Sequence, residues 1–128
     1  LFSNSFYQII VLQVKKEQDT LPEDFNLKLR GYRHAMEARI AFYITVEIPA
    51  ANVTNKTEIS VGDGGIREEY INAKLEEGKQ YKLFVRAVTR IDGASYISNY
   101  NKINCGNVVK LKKDKLLLGQ AISHKENT

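Results

Sequence analysis

The sequence predicts an α+β fold, a sheet covered by helices, and three observations carry that expectation. Ile40, Phe42, Ile44, Val46 and Ile48 alternate with Ala41, Tyr43, Thr45 and Glu47 until Pro49 ends the run, the period of a strand. After a polar turn at Glu76, Glu77 and Gly78, Tyr81, Leu83, Val85 and Ala87 fall on one face of a second strand. Gln80, Lys82, Phe84, Arg86 and Val88 fall on the other. Ahead of both strands, Phe25, Leu29, Tyr32 and Met36 recur at helical spacing.

In chain order, residues 6–14 read as a strand apolar on both faces, which suits a central position. Thr20, Pro22 and Glu23 form a helix start, with Thr as N-cap, Pro in the first turn and Glu three residues on. A helix over 22–38 would lay one stripe on the sheet, weakened by Gly31, since an interior glycine costs about 1 kcal/mol relative to alanine. The strand over 40–48 follows, then a polar connection over 50–57, a short strand over 58–61 and the turn Gly62-Asp63-Gly64-Gly65. Ile66, Tyr70 and Ala73 suit either a short helix over 66–74 or an irregular crossing. The strand over 80–90 closes at Asp92-Gly93, and 93–106 reads as irregular or as a weak extra edge. Val108, Val109 and Leu111 suggest one more short strand, while Leu116, Leu117 and Leu118 are apolar but isolated.

That order, βαββαβ, is the ferredoxin-like, split-βαβ arrangement with helices on one face of the sheet. Leu75, Gly78 and Tyr81 also resemble the tyrosine-corner stretch of fibronectin type III domains, so a fibronectin type III-like β-sandwich is the alternative. A complete sandwich has about seven strands, almost no helix and usually an early Trp, and this chain has no Trp. Both absences favour α+β. Residues 1–113 are expected to form one domain and 114–128 a polar juxtamembrane tail, with Tyr81, Leu83, Val85, Phe42 and Ile44 in the core and Gly78 in the turn.

At 128 residues the chain can bury a working core without metals or disulfides. Net charge is +4, but the 19 Lys and Arg are spread along the sequence apart from Lys110, Lys112, Lys113 and Lys115, so nucleic acid is not an expected partner. A single cysteine, Cys105, forbids an internal disulfide. No run approaches the ~18 apolar residues that span a bilayer, and Leu1-Phe2-Ser3-Asn4-Ser5 lacks the basic and apolar regions of a signal peptide.

Candidate chemistry is sparse. Asn52-Val53-Thr54 and Asn55-Lys56-Thr57 are tandem N-glycosylation sequons on one predicted surface loop, which points to the secretory pathway at Asn52, Asn55 or both. Cys105 has no Arg downstream to complete a phosphate-cradling loop, so a passive thiol is expected. His34 and His124 lack companions at metal-ligand spacing, the pairs Glu68-Glu69 and Glu76-Glu77 suit solvated faces, and no Lys-Ser or Lys-Thr follows the glycine-rich turn. No catalytic, metal or cofactor site is expected.

Taken together, Tyr7-Gln8-Ile9-Ile10-Val11, the segment 41–50, Ile59-Ser60-Val61-Gly62-Asp63, Tyr70 to Leu75, Gly78 to Tyr81, and Phe84, Arg86 and Ala87 resemble the membrane-proximal extracellular domain of receptor-type protein tyrosine phosphatases, in order and with similar spacing over 6–89. Some such domains look like sea-urchin-sperm-protein/enterokinase/agrin (SEA) or ferredoxin-like folds. The resemblance implies a non-catalytic extracellular domain serving as structural spacer and coupling element, with adhesion or homodimerisation as further roles. Its partners would be neighbouring fibronectin-type repeats and the membrane surface, approached by the lysines of 110–115. The phosphatase chemistry would belong to cytoplasmic sequence outside these residues. The loop over 50–57 lacks the Gly-Ser step of self-cleaving SEA domains, and Lys15-Lys16-Glu17 lacks the arginines of a furin-type site. A rival reading is an intracellular ferredoxin-like module binding RNA or another anion, which would need Tyr43 and Phe84 on an exposed sheet face.

Overall fold

The computed structural model describes residues 3–16, 18–54, 56–67, 69–97, 101–108 and 115–117. In chain order the elements are β1 (Ser3–Val14), α1 (Phe25–Lys28), α2 (Tyr32–Ala38), β2 (Phe42–Pro49), a single 3-10 turn (Ala50–Asn52), β3 (Glu58–Ser60), β4 (Ile66–Arg67), β5 (Tyr70–Ile71), β6 (Gln80–Ile91), β7 (Ala94–Ile97), β8 (Asn101–Val108) and β9 (Lys115–Leu117). β1 lies between β2 and β6, antiparallel to both. β7 and β8 follow one another along the far edge of β6, completing a five-stranded sheet. β3 pairs with β9, and β4 with β5.

The apolar residues on both faces of β1 make it the shared wall of two cores. Ile9 and Val11 point into the first, with Tyr81, Leu83 and Val85 of β6, and this face is closed by Ala35 of α2 and by Ile59 and Val61. Ile10, Leu12 and Val14 point into the second with Phe84, under Leu21, Phe25 and Leu29. Successive side chains of a strand leave opposite faces, so one dipeptide step serves both layers.

This topology corrects the expected split-βαβ sheet. There, the first two strands run parallel with a third inserted between them, whereas β1 and β2 are direct antiparallel neighbours. The helices are also too short for such a crossover: at 1.5 Å per residue, α1 spans about 6 Å and α2 about 10 Å. Nor do they share a face, since α1 supplies Phe25 to the second core and α2 supplies Ala35 to the first. A strand-rich chain with the β3–β9 ladder contributing Ile59 over one sheet face fits the alternative, a fibronectin type III-like β-sandwich.

The single helix expected over 22–38 is divided because its middle is recruited by β2. Leu29 and Gly31 are extended, the Ile44 N–H donates to the Arg30 carbonyl at 2.9 Å, and Gly31 forms an isolated bridge to Ile44. Backbone groups used between segments are unavailable to a helical ladder. The expected stripe splits accordingly: Phe25 and Leu29 are buried, and Met36 is 43% exposed. The stretch 66–74 holds the β4–β5 hairpin instead of a helix, and Ile66 is 70% exposed. Over 93–106 the chain forms edge strands, with β6 and β7 joined through Asp92 (φ 50) and Gly93 (φ 86), a two-residue loop whose positive φ angles match a twisted hairpin.

The alternation expected along β2 breaks at Thr45. Ile9 pairs with Val46 but Ile10 pairs with Ile44, so Thr45 is an extra residue, a β-bulge. Phe42 and Ile44 therefore enter the second core, while Val46 enters the first, although period two alone puts all three on one face.

Candidate functional site: an arginine cleft beside the second core

The bulge also sets the polar chemistry of the sheet. Without it, Glu47 would follow Tyr43 and Thr45 to the first face. With it, Glu47 stands opposite Gln8, which in turn stands opposite Arg86 on β6. Gln8 Nε2 donates to Glu47 Oε1 at 2.8 Å, and Arg86 Nε donates to Gln8 Oε1 at 2.7 Å. Arg86 Nη1 donates to Asn26 Oδ1 at 2.7 Å, on α1 in the covering layer. Four residues along β6, Arg90 Nη2 donates to the same Glu47 oxygen at 2.7 Å, and its guanidinium lies 4.5 Å from the centre of the Phe6 ring. Gln8 and Arg86 are 1% and 6% exposed, so the bond between them, at the centre of this row, is held out of water.

Burial dominates the electrostatics. Desolvation pulls Arg86 down to about 10, with Arg90 pushing the same way and Tyr70 and Glu47 opposing, so the guanidinium stays charged at neutral pH. The hydrogen bond that Arg90 donates to Glu47 raises Arg90, whereas burial, then Glu47, raises Tyr70.

These side chains line an open cleft of about 440 Å³, floored by Leu29, Ile44 and Val88 and rimmed by Arg30, His34, Glu69 and Tyr70. A second concavity of about 410 Å³ shares Arg90 and Glu69 with it and continues past Phe6 and Glu47. Fixed guanidinium donors over an apolar floor are binding chemistry, suited to an anionic group with an apolar neighbour.

Asn72, at 0% exposure, organises the opposite face. Its Oδ1 accepts from the Thr45 hydroxyl at 2.6 Å and the Gly62 N–H at 2.7 Å, and its Nδ2 donates to the Ser60 carbonyl at 2.5 Å. Its backbone exchanges hydrogen bonds with Gly64 and Gly65, and Gly65 also donates to Asp63. The amides of the glycine-rich turn are thus committed to the protein itself.

Asn52 ends the 3-10 turn and is exposed, as is Thr54 of its sequon. The loop folds on itself: the Thr54 N–H donates to Thr57 Oγ1 at 2.7 Å, and the Lys56 N–H to Thr54 Oγ1 at 3.2 Å. Asn55 lies outside the described residues. The Tyr81 hydroxyl accepts from the Glu76 N–H at 3.0 Å, closing the corner ahead of β6, with Gly78 at φ 84 in the turn between them. Tyr43 and Phe84 are 4% and 1% exposed, which removes the aromatic surface that an RNA-binding sheet would need. His34 sits on the rim of the cleft, Glu69 beside it, and Glu76 pairs with Lys79 at 3.3 Å. Cys105 falls in β8 and Lys115 opens β9, whereas Glu68, Lys110, Lys112, Lys113 and His124 lie outside the described residues. Gln8, Glu47, Asn72 and Arg86 fall within the segments that carry the family resemblance, but no motif gives any of them, or Arg90, a binding role. The legible signal is Gln8 inside an apolar run, and two arginines four apart on a strand face, either side of Val88 and beyond Phe84. Among the described residues, no helix is long and apolar enough to cross a membrane.

Compared with known families, residues 3–113 match the model described as the receptor-type tyrosine-protein phosphatase U Fn3 domain. No curated protein matches the chain.

Proposed function

The chain belongs to the receptor-type tyrosine-protein phosphatase U Fn3 domain family, and from that membership we propose that it is a non-catalytic extracellular domain of a receptor-type tyrosine phosphatase. It acts as a folded spacer that couples neighbouring fibronectin-type repeats to the membrane. The observation that carries this reading is the family match across 3–113, which takes in both cores and the tyrosine corner. A finer reading, a domain of receptor-type tyrosine phosphatase Q next to the membrane, rests on the motif order over 6–89 and is part of the proposal. Exposure of Asn52 and Thr54 at a loop supports N-glycosylation there, with Asn55 as the second acceptor.

Secretion from mammalian cells tests it. The intact mass should fall on N-glycosidase treatment, with Asn52 or Asn55 converted to Asp. A chain that reaches the medium only when both sequons are occupied would place the loop in the secretory pathway; one that is retained and unglycosylated while folded in the cytosol would sink the receptor reading.

A further inference from the structure

We propose that the arginine cleft receives a carboxylate side chain from a protein partner, an Asp or Glu lying beside an apolar residue. The first ground is charge. Arg86 is a buried cation whose named acceptors, Gln8 and Asn26, are neutral amides, while the carboxylate nearest to it, Glu47, is engaged by Gln8 and Arg90. The two connected concavities are lined by Arg30, Arg86 and Arg90 against Glu47 and Glu69. An entering anion meets a net positive wall, where hydrogen bonds to a charged donor are stronger than those between neutral groups.

The second ground is organisation. Arg86 is fixed by two hydrogen bonds, and Arg90 by Glu47 and the Phe6 ring, so little side-chain freedom remains to be lost on binding. Arg90, with a third of its side chain open to solvent, lines both concavities and has donors beyond the one given to Glu47, and Arg30 and Tyr70 line the same cleft.

The third ground chooses the partner. A floor of Leu29, Ile44 and Val88 rewards an apolar side chain next to the carboxylate. Glu69 and Glu47 sit on the same walls and repel a second anionic group, so a sulfated glycan or nucleic acid, with charges repeated along its length, is disfavoured beyond its first contact.

The probe is the acetylated, amidated tripeptide leucyl-glutamyl-leucine, titrated into the full chain while the arginine Nε–H and Tyr70 resonances are followed by NMR. Saturable shifts at Arg86, Arg90 and Tyr70 are expected, absent with the glutamine analogue of the peptide. Arg90→Gln should weaken binding by about tenfold or more, and Glu69→Gln, which removes a rim carboxylate, should tighten it a few-fold. Should Arg90→Gln not fold, Arg30→Gln and Glu69→Gln, both at exposed positions, carry the comparison. Equal binding of the two peptides, no saturable shift, or shifts with a heparin oligosaccharide but not with the peptide would each overturn the proposal. Because the readout is direct binding in solution, its failure leaves the secretion and glycan result untouched.

Discussion

Asn72 is fully buried, and each end of its side-chain amide is taken up by a different segment. Replacing it by leucine would strand the Gly62 N–H, the Ser60 carbonyl and the Thr45 hydroxyl in the interior. Each orphaned group costs about 1–3 kcal/mol, so Asn72→Leu should destabilise by at least about 3 kcal/mol in urea denaturation, against about 1 kcal/mol for Thr45→Val. Equal, small effects would show that water takes over the amide's role. Tyr43 offers a second test. Burial raises its pKa far above the ordinary tyrosine value, with Tyr81 and Tyr32 adding to the effect. An unfolded tyrosine ionises near pH 10, so above that the unfolded chain releases a proton that the fold keeps, and stability falls as pH rises. Arg86 acts with the opposite sign above about 10, where the unfolded chain keeps a proton the fold gives up. Tyr43→Phe keeps the edge-to-face contact with Tyr32, 5.0 Å between ring centres, and should reduce the loss of stability between about pH 9 and about pH 11.

At the scale of elements, the bulge at Thr45 decides what β2 does. Deleting Thr45 would remove the extra residue while keeping Ile44 opposite Ile10 and Val46 opposite Ile9, so Val46 stays in the first core, Glu47 stays opposite Gln8, and the Thr45–Asn72 hydrogen bond is lost. We expect that deletion to cost about 1 kcal/mol and to leave unfolding cooperative in urea, whereas Val46→Asp, which puts a charge into the first core, should abolish it. Turn glycines separate in the same way. Gly62 and Gly78 both have positive φ, but a Cβ on Gly62 would meet Leu75 Cγ at 3.1 Å, and one on Gly78 meets nothing within 4 Å. Gly78→Ala should cost about 1–2 kcal/mol from backbone strain alone, and Gly62→Ala measurably more. These details explain what the sequence could show. Strands β1, β2 and β6 were legible because burial on one or both faces writes a period of two into the chain. The bulge was not, since Phe42, Ile44, Val46 and Ile48 keep an unbroken alternation while the partner strand shifts. The sequence favours one helix over 22–38 because the stripe of Phe25 and Leu29 continues into Tyr32, yet Arg30 and Gly31 are bonded to β2. The arginine cleft depends on three strands meeting in register, which local spacing does not encode.

For the whole molecule, the consequence of two cores on one sheet is a single cooperative unit. β1 and β6 hold twelve paired positions in register from Ser3↔Ile91 to Val14↔Gln80, and both strands feed both cores. Loss of packing on one face loosens the strands that the other face packs against. Ile10→Ala in the second core and Val11→Ala in the first should therefore each lower the unfolding free energy, by about 2–5 kcal/mol for the isoleucine and somewhat less for the smaller valine, and with it the urea midpoint at an unchanged m-value. Far-UV circular dichroism and tyrosine fluorescence should report one transition in both variants, since the chain has no Trp and its buried tyrosines Tyr43 and Tyr81 lie in the first core. If Ile10→Ala left the tyrosine transition in place while ellipticity fell earlier, the segment carrying Leu21, Phe25 and Leu29 would be unfolding as a separate layer. A spacer that transmits force between its ends needs the opposite, both faces failing together, because a layer that peels away first would absorb extension without passing it on.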